Sequence, residues 1–184
     1  MSKEIITQVI GSEGLKRTIT RLAHEIVEHN FGADNLVILG IRTRGVPLAQ
    51  RLIDSIYDIE KKTPPLGILD VTMYRDDVFK NIKKPVVGTT EIDFEINGKV
   101  VILVDDVLYT GRTVRAALDA IIDFGRPTKI QLAVIIDRGF RELPIRADYV
   151  GKTLTTSQDE AVRVQVKEID NQDGVILVKP VRES

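Results

Sequence analysis

The chain has 184 residues, of which 43% are hydrophobic and 29% charged, and its net charge is -1; we expect one globular domain, residues 1–184, with a core of ordinary size. The absence of cysteine excludes a disulfide framework and a cysteine-ligated metal site. No apolar stretch is long enough to cross a bilayer and the N-terminus, MSKEIITQVI, lacks the layout of a signal peptide, so we expect a cytoplasmic protein with no membrane partner.

Two amphipathic helices and a buried strand are predicted first. Ser12 is expected to cap a helix that runs to about His29. The next segment, Leu36–Ile41, has no polar alternation and indicates a buried strand. Each helix has an apolar face at helical spacing: Leu15, Ile19, Leu22, Ala23, Ile26 and Val27 in the first, and Leu48, Ala49, Leu52, Ile53 and Ile56 in the second, which follows RTRG at residues 42–45.

A polar-tipped hairpin is predicted over residues 64–94. PPLGILDVTMY indicates a strand that ends near Tyr74, and the charged stretch RDDVFKNIKKP follows it. VVGTTEIDF then returns as the antiparallel partner. Because the tip of this hairpin is polar, we expect it to form a flexible β-hairpin hood.

The second half supplies two further buried strands with a helix between them. One strand begins at Val100, its helix ends at Gly125 and Pro127, and residues 130–137 (IQLAVIID) form the next strand. Strands without alternation, separated by amphipathic helices, predict an α/β fold with a central, mostly parallel sheet and helices on both faces. Near the C-terminus, alternating valines at 162, 164 and 166, a turn at Asp173-Gly174 and a short run at 175–178 predict a terminal hairpin.

Three predicted strands end in polar clusters: RTRG at 42–45, DDVLYTGRT at 105–113 and DRG at 137–139. The carboxyl ends of parallel strands meet at one edge of the sheet, where ligands of such folds bind. In TGRT, small residues let several backbone N–H groups point inward, and the following helix adds the positive end of its dipole, which favours a phosphate. The plain alternative is a strand-to-helix turn capped by Thr110 or Thr113.

Two adjacent aspartates, Asp105 and Asp106, precede this turn. Carboxylates at the end of an apolar strand are costly unless they bind hydroxyl groups or a divalent cation, or simply cap the loop and pair with Arg112. RTRG places Arg42 and Arg44 after another strand, which favours a second anion. Two anion sites beside a site for hydroxyls and a metal fit a sugar with a phosphate at one end and a pyrophosphate at the other, namely phosphoribosyl pyrophosphate.

Residues 100–113, VVILVDDVLYTGRT, resemble the phosphoribosyl-pyrophosphate signature of the type I phosphoribosyltransferases. With GIRTRGVPLAQRL, LDVTMYRDD and QLAVIIDRGFRELPIRADYVGK, nearly the whole chain is similar to a bacterial branch of this family. Members of that branch are uracil phosphoribosyltransferases that also attenuate transcription of pyrimidine operons. The resemblance implies transfer of phosphoribose from phosphoribosyl pyrophosphate to uracil with Mg²⁺, giving UMP and pyrophosphate.

The resemblance also implies roles for residues. Asp105 and Asp106 would hold the ribose hydroxyls, directly or through Mg²⁺-bound water, and favour the positive charge that develops on the sugar. Arg75 would close over the leaving pyrophosphate and exclude water. The other expected nucleotide contacts are Thr43 and Arg44 for the pyrophosphate, Thr110, Gly111, Arg112 and Thr113 for the 5′-phosphate, the loop residues Val107, Leu108 and Tyr109 beside them, and Arg138 and Val162 for the base.

Family members of this branch also bind an RNA hairpin in the pyrimidine leader transcript, more tightly with uridine nucleotides such as UMP or UTP, and act as homodimers or higher oligomers. At a net charge of -1, an RNA surface must be a local patch. Two basic groups match the resemblance: Arg17, Thr20, Arg21 and His24 on one helix face, and Arg141, Arg146 and Lys152 after the fourth core strand.

Two departures and two alternatives stay open. Phe140 stands where the family pattern has His, and Gln158 where it often has Arg, so base affinity or RNA contact is in doubt at these positions. One alternative is a transferase for a purine, orotate or xanthine without an RNA role, because the sugar-phosphate motif is common to all of them. The other is a nucleotide sensor that has lost useful catalysis, against which the intact pyrophosphate residues Thr43, Arg44 and Arg75 argue.

Overall fold

A computed structural model describes residues 4–76 and 88–180. In chain order the elements are β1 (Glu4–Ile10), α1 (Ser12–His29), β2 (Leu36–Ile41), α2 (Gly45–Glu60), β3 (Leu66–Leu69), a 3₁₀ turn (Thr72–Tyr74), β4 (Val100–Leu108), α3 (Arg112–Phe124), β5 (Lys129–Asp137), β6 (Tyr149–Thr153), β7 (Ala161–Gln165), the short helix α4 (Lys167–Asp170) and β8 (Gly174–Pro180). None of the helices in these two ranges combines the length and apolarity needed to cross a bilayer.

The central sheet has five parallel strands in the order β3-β2-β4-β5-β6. Successive side chains of a strand point to opposite faces. Ile38, Ile102 and Ile135 therefore pack beneath α1 and α2, whereas Leu39 and Leu103 pack beneath α3. This confirms the predicted α/β fold with helices on both faces, and it places the carboxyl ends of β2, β4 and β5 side by side.

A second, antiparallel sheet has the order β1-β8-β7. The pairing of β7 with β8 confirms the predicted C-terminal hairpin strands. The connection between these strands is longer than the predicted turn at Asp173-Gly174, because α4 lies between them and Asp173-Gly174 forms only the end of the connection. Val164, Val166 and Val175 reach the core shared with α1 and α2, so this sheet is anchored to the central one.

Two boundaries differ from the sequence prediction. The strand expected to end near Tyr74 ends at Leu69, because the Asp70 carboxylate accepts the N–H groups of Thr72 (2.8 Å) and Gly88 (2.7 Å) and turns the chain. Gly11, one residue before the expected Ser12, is the N-cap of α1, and its carbonyl accepts the N–H of Leu15.

The predicted hood is described only at its base. An antiparallel bridge joins Ile68 to Glu91, and no regular strand forms within residues 88–99. The tip of that hairpin, residues 77–87, lies outside the described residues.

Candidate functional site

The start of α2 approaches β4 so closely that no side chain fits between them. A Cβ built on Gly45, the first residue of α2, would lie 2.5 Å from the carbonyl oxygen of Val104. Glycine is therefore required at this contact, which brings the loop at 42–44 next to Asp105 and Asp106. The peptide bond between Arg42 and Thr43 in this loop is cis.

Asp105 and Asp106 lie in the carboxyl-terminal half of β4, as predicted, and the strand continues to Leu108. Because side chains alternate along a strand, the two carboxylates start on opposite faces of the sheet. Asp105 Oδ1 accepts the N–H of Asp106 (2.9 Å), and Asp106 Oδ1 accepts the N–H of Val107 (2.8 Å). The two acids are thus held by local backbone bonds.

Burial raises the pKa of Asp105 well above its ordinary value, and the charge of Asp106 raises it further, while the positive charge of Arg75 opposes both. Only 8% of Asp105 is exposed. A buried carboxylate of this kind binds a proton, a hydroxyl or a cation more readily than an exposed one. Asp105 therefore carries unfavourable desolvation that a hydrogen-bonding ligand would relieve.

Asp106, Arg44 and Val162 all line one cavity of about 470 Å³. The charge of Asp106 contributes to the raised pKa of Arg44, although the first cause is the hydrogen bond to Asp170. Residues predicted for the sugar, the pyrophosphate and the base thus meet in one cavity. Thr43, next to Arg44 in the chain, is exposed and does not line this cavity.

The predicted phosphate loop forms the N-terminus of α3. Gly111 has a φ of 92°, a value that favours glycine, and a Cβ there would lie 3.3 Å from that of Ile145. The Thr110 carbonyl accepts the N–H groups of Glu142 (2.9 Å) and Leu143 (3.2 Å), so the segment after β5 supports this loop. At the start of α3, the N–H of Arg112 donates to Thr110 Oγ1 (3.4 Å) and that of Arg115 to Gly111 O (2.9 Å). The N–H groups between them, those of Thr113 and Val114, are in the position at a helix N-terminus that favours an anion.

The side chains of Arg112 and Leu108 do not face the predicted phosphate site. Arg112 donates to Glu142 Oε2 and Asp76 Oδ2, each at 2.6 Å, so its guanidinium is turned to acids and only its backbone faces the loop. Leu108 is buried in the core, which leaves only its backbone for a ligand. Arg75 donates to Thr113 Oγ1 (3.1 Å) and so lies at the phosphate end of the site.

Arg138, which the sequence predicts for the base, lies close to two aromatic rings. The Arg138 guanidinium lies 4.1 Å from the centre of the Tyr109 ring and 5.8 Å from that of Phe140. Arg138 is buried, its Nη2 donates to Ser157 O (3.2 Å), and its Nε has no hydrogen-bond partner. A buried unpaired N–H is costly, so this arginine has an unused donor beside the end of β5. The contact between Tyr109 and Arg138 was not predicted from the sequence, because a contact between residues that follow neighbouring strands leaves no local sequence pattern.

The residues predicted for RNA divide into two groups. Arg17, Thr20, Arg21 and His24 are exposed on α1. Arg21 donates to the carbonyls of Val150 (3.2 Å) and Gly151 (2.6 Å), so this face of α1 continues onto exposed Lys152 in β6.

Arg146 and Arg141 lie elsewhere. Arg146 lines a groove with Leu118 of α3, on the opposite face of the sheet from α1. Arg141 donates to Ile145 O, Tyr109 O and Gly139 O and pairs with Asp137 Oδ2 at 2.5 Å. This arrangement favours a structural role for Arg141 over the RNA contact that the sequence predicted.

Comparisons with known proteins agree with this geometry. The family model described as phosphoribosyl transferase domain matches residues 7–169. The chain is 59% identical over 172 residues to the "Bifunctional protein PyrR" of Pelotomaculum thermopropionicum, covering 94% of this chain and 95% of that one. It is 56% identical to the protein of the same name from Clostridioides difficile, over 92% of this chain and 96% of that one.

Solved structures show the same fold. A hypoxanthine-guanine phosphoribosyltransferase from Bacillus anthracis superposes with a TM-score of 0.71 at 21% identity, over 96% of this chain and 99% of that one. The hypoxanthine phosphoribosyltransferase of Trypanosoma cruzi gives 0.73 at 16% identity, over 95% and 97%. The domain match and the full-length similarity place this chain in the phosphoribosyl transferase family, among its bifunctional PyrR members.

Proposed function

We propose that this chain transfers phosphoribose from phosphoribosyl pyrophosphate to uracil, and that it is also a uridine-nucleotide-dependent, RNA-binding regulator of pyrimidine-operon attenuation. The observation that supports the transferase best is that Arg44, Asp106 and Val162 line one cavity, with Asp106 on the strand that leads into the predicted phosphate loop. The residues proposed to bind the pyrophosphate, the ribose hydroxyls and the base, namely Arg44, Asp106 and Val162, line one cavity of about 470 Å³. A site for UMP alone would not need Arg44.

Each group of residues binds a different part of phosphoribosyl pyrophosphate. The backbone N–H groups of Thr113 and Val114 bind the 5′-phosphate, and Thr43 and Arg44 bind the pyrophosphate. Asp106, which opens to the cavity, accepts hydroxyl hydrogen bonds from the ribose, and Asp105 supports it from the buried side. As the bond between the anomeric carbon and pyrophosphate breaks, positive charge on the sugar is stabilised by this pair.

Mg²⁺ fits this site as an ion that arrives with the substrate. No group of three or more metal-binding side chains exists in the two described ranges, so the chain alone offers Asp105 and Asp106 and substrate oxygens would complete the coordination. When bound, Mg²⁺ would offset the negative charge of the pyrophosphate.

For the base, Arg138 is the proposed reader of the uracil edge and Val162 the proposed apolar wall. For RNA, the proposed surface consists of Arg17, Thr20, Arg21, His24 and Lys152, with Arg146 as a separate contact. We further propose that the chain is one domain that acts as a homodimer or higher oligomer.

The transferase is tested by incubating the protein with labelled uracil, phosphoribosyl pyrophosphate and Mg²⁺. UMP is expected, and Asp106→Asn should lower kcat/KM by about 100-fold or more, because a carboxylate that stabilises developing charge is lost. Thermal unfolding of the variant serves as the control for its fold. Product from hypoxanthine or orotate but not from uracil would reject the proposed base, and no product at all would favour a sensor.

The regulatory role is tested by titrating a pyrimidine-leader RNA hairpin with and without UMP. Tighter binding with UMP is expected. Affinity that is indifferent to UMP would contradict attenuation by this chain while leaving the transferase intact.

A further inference from the structure

The short helix α4 presents acids to two arginines around the start of α2. Arg51 donates to Glu168 (2.9 and 2.6 Å) and to Asp173 (2.8 Å). Arg44 donates to Asp170 through Nε (3.1 Å) and Nη2 (2.6 Å). The pair at Arg51 lies away from the cavity, whereas the pair at Arg44 lies in its wall.

Asp170 is held firmly in this position. Its side chain is 17% exposed, and its Oδ2 also accepts the N–H of Val166 (2.9 Å). The hydrogen bond from Arg44 is the first cause of the lowered pKa of Asp170, so the carboxylate is ionised at neutral pH. A two-point arginine–carboxylate pair of this kind is stronger than a single contact.

The edge of Arg44 formed by Nε and Nη2 is therefore already bound to an anion. A pyrophosphate group would approach the same guanidinium in the same cavity, where it meets the negative charges of Asp106 and Asp170. Whether Asp170 withdraws or stays, its charge opposes the incoming group, because like charges a few ångströms apart repel.

We propose that Asp170 is an internal counter-ion of the pyrophosphate site, which competes with pyrophosphate for Arg44 and so weakens the binding of pyrophosphate-bearing ligands. This inference rests on the proposed role of Arg44 in the transferase. Asp170 keeps Arg44 in place while the site is empty, and it lowers affinity for one end of the substrate and for one product. Ligands that lack a pyrophosphate, such as UMP, do not meet this competition.

The test compares Asp170→Asn with Glu168→Gln, a matched control on the same helix whose partner is Arg51. Direct binding of pyrophosphate and of UMP is measured by calorimetry, and KM for phosphoribosyl pyrophosphate and kcat by the UMP assay. For Asp170→Asn we expect pyrophosphate affinity to rise and KM to fall by about fivefold, the upper range for one partly exposed charge pair. UMP affinity should stay unchanged, and Glu168→Gln should resemble the parent protein.

Weaker or unchanged pyrophosphate binding by Asp170→Asn would overturn the inference, as would an equal gain in Glu168→Gln. Asp170→Ser tests the same loss of charge in case the asparagine variant misfolds. If the parent protein neither binds pyrophosphate nor forms UMP, the proposed function itself fails, which is a different result from an active parent whose variant does not respond.

Discussion

Arg138, the proposed reader of the base, is constrained by its surroundings. Its guanidinium lies over the Tyr109 ring, it is buried, and its Nε–H has no partner. A cation over an aromatic face contributes about 0.5 to 2 kcal/mol, with the higher value where water is excluded. Tyr109 therefore fixes the direction in which Arg138 donates, and we regard it as a positioning residue.

We predict that Tyr109→Ala raises KM for uracil by about twofold to 30-fold, the range that corresponds to this interaction, and changes KM for phosphoribosyl pyrophosphate much less. Tyr109→Phe keeps the ring and should behave as the parent. Steady-state kinetics with each substrate varied in turn provides the measurement. An equal rise in both KM values would show that Tyr109 acts on the sugar-phosphate loop instead.

At this scale the sequence predicted residue types better than their contacts. Asp105, Asp106 and Arg44 were identified from adjacency and from their position after apolar runs, and the structure brings them together. The partners of Arg44 and Arg112 were not predictable, because Asp170 and Glu142 are 126 and 30 residues away along the chain. A sequence shows that an arginine exists near a site but not which acid already binds it.

Among the elements, α4 has four residues, too few to be stable by itself. Arg51 adds to the bonds of Asp170 that hold α4, and its hydrogen bonds are the first cause of the lowered pKa values of Glu168 and Asp173. A carboxylate whose pKa is lowered on folding adds stability above its unfolded pKa and loses it as the pH falls through the folded pKa.

We therefore predict that Arg51→Met lowers the free energy of unfolding by about 1 kcal/mol near neutral pH, as for a partly exposed ion-pair network. The difference from the parent should shrink as the pH falls through and below about 4. Urea unfolding at several pH values measures this. Arg126→Met, at an exposed arginine with no ion pair in the described part of the chain, serves as the control, and a pH-independent difference would contradict the prediction.

Elements with strong periodicity were predicted well, and those without it were not. The six apolar positions expected for α1 are all buried, as are the five expected for α2. β6 and β1 were not predicted. β6 spans only five residues at the edge of the sheet, and β1 forms a strand through its pairing with β8. Such pairings depend on tertiary contacts that no short window contains.

At the scale of the whole molecule, α1 and β6 form one surface. A Cβ on Gly151 would lie 2.6 Å from the Thr18 methyl group, so the helix lies directly on the strand and Arg17 and Lys152 can face the same partner. A net charge of -1 gives no general attraction to RNA. Affinity should therefore depend on these few cations.

We predict that Arg17→Gln and Lys152→Gln each weaken RNA binding and lower the slope of log affinity against log salt by about 1, since each removes about one phosphate contact. Arg126→Gln should change neither value. Filter binding or fluorescence anisotropy across a salt series measures both quantities. An unchanged slope in both variants would place the RNA on another surface, such as the one that carries Arg146.

The contact of Gly45 with the Val104 carbonyl has a consequence for selectivity within this fold. Main-chain atoms alone set the separation between the loop at 42–44 and the strand that carries the aspartates, so no rotamer change alters that separation. The residues proposed for the base, by contrast, would contact it through side chains, those of Arg138 and Val162, with Tyr109 against Arg138. A side-chain substitution can therefore change which base is bound, while the backbone keeps the distance between the proposed pyrophosphate and ribose sites unchanged.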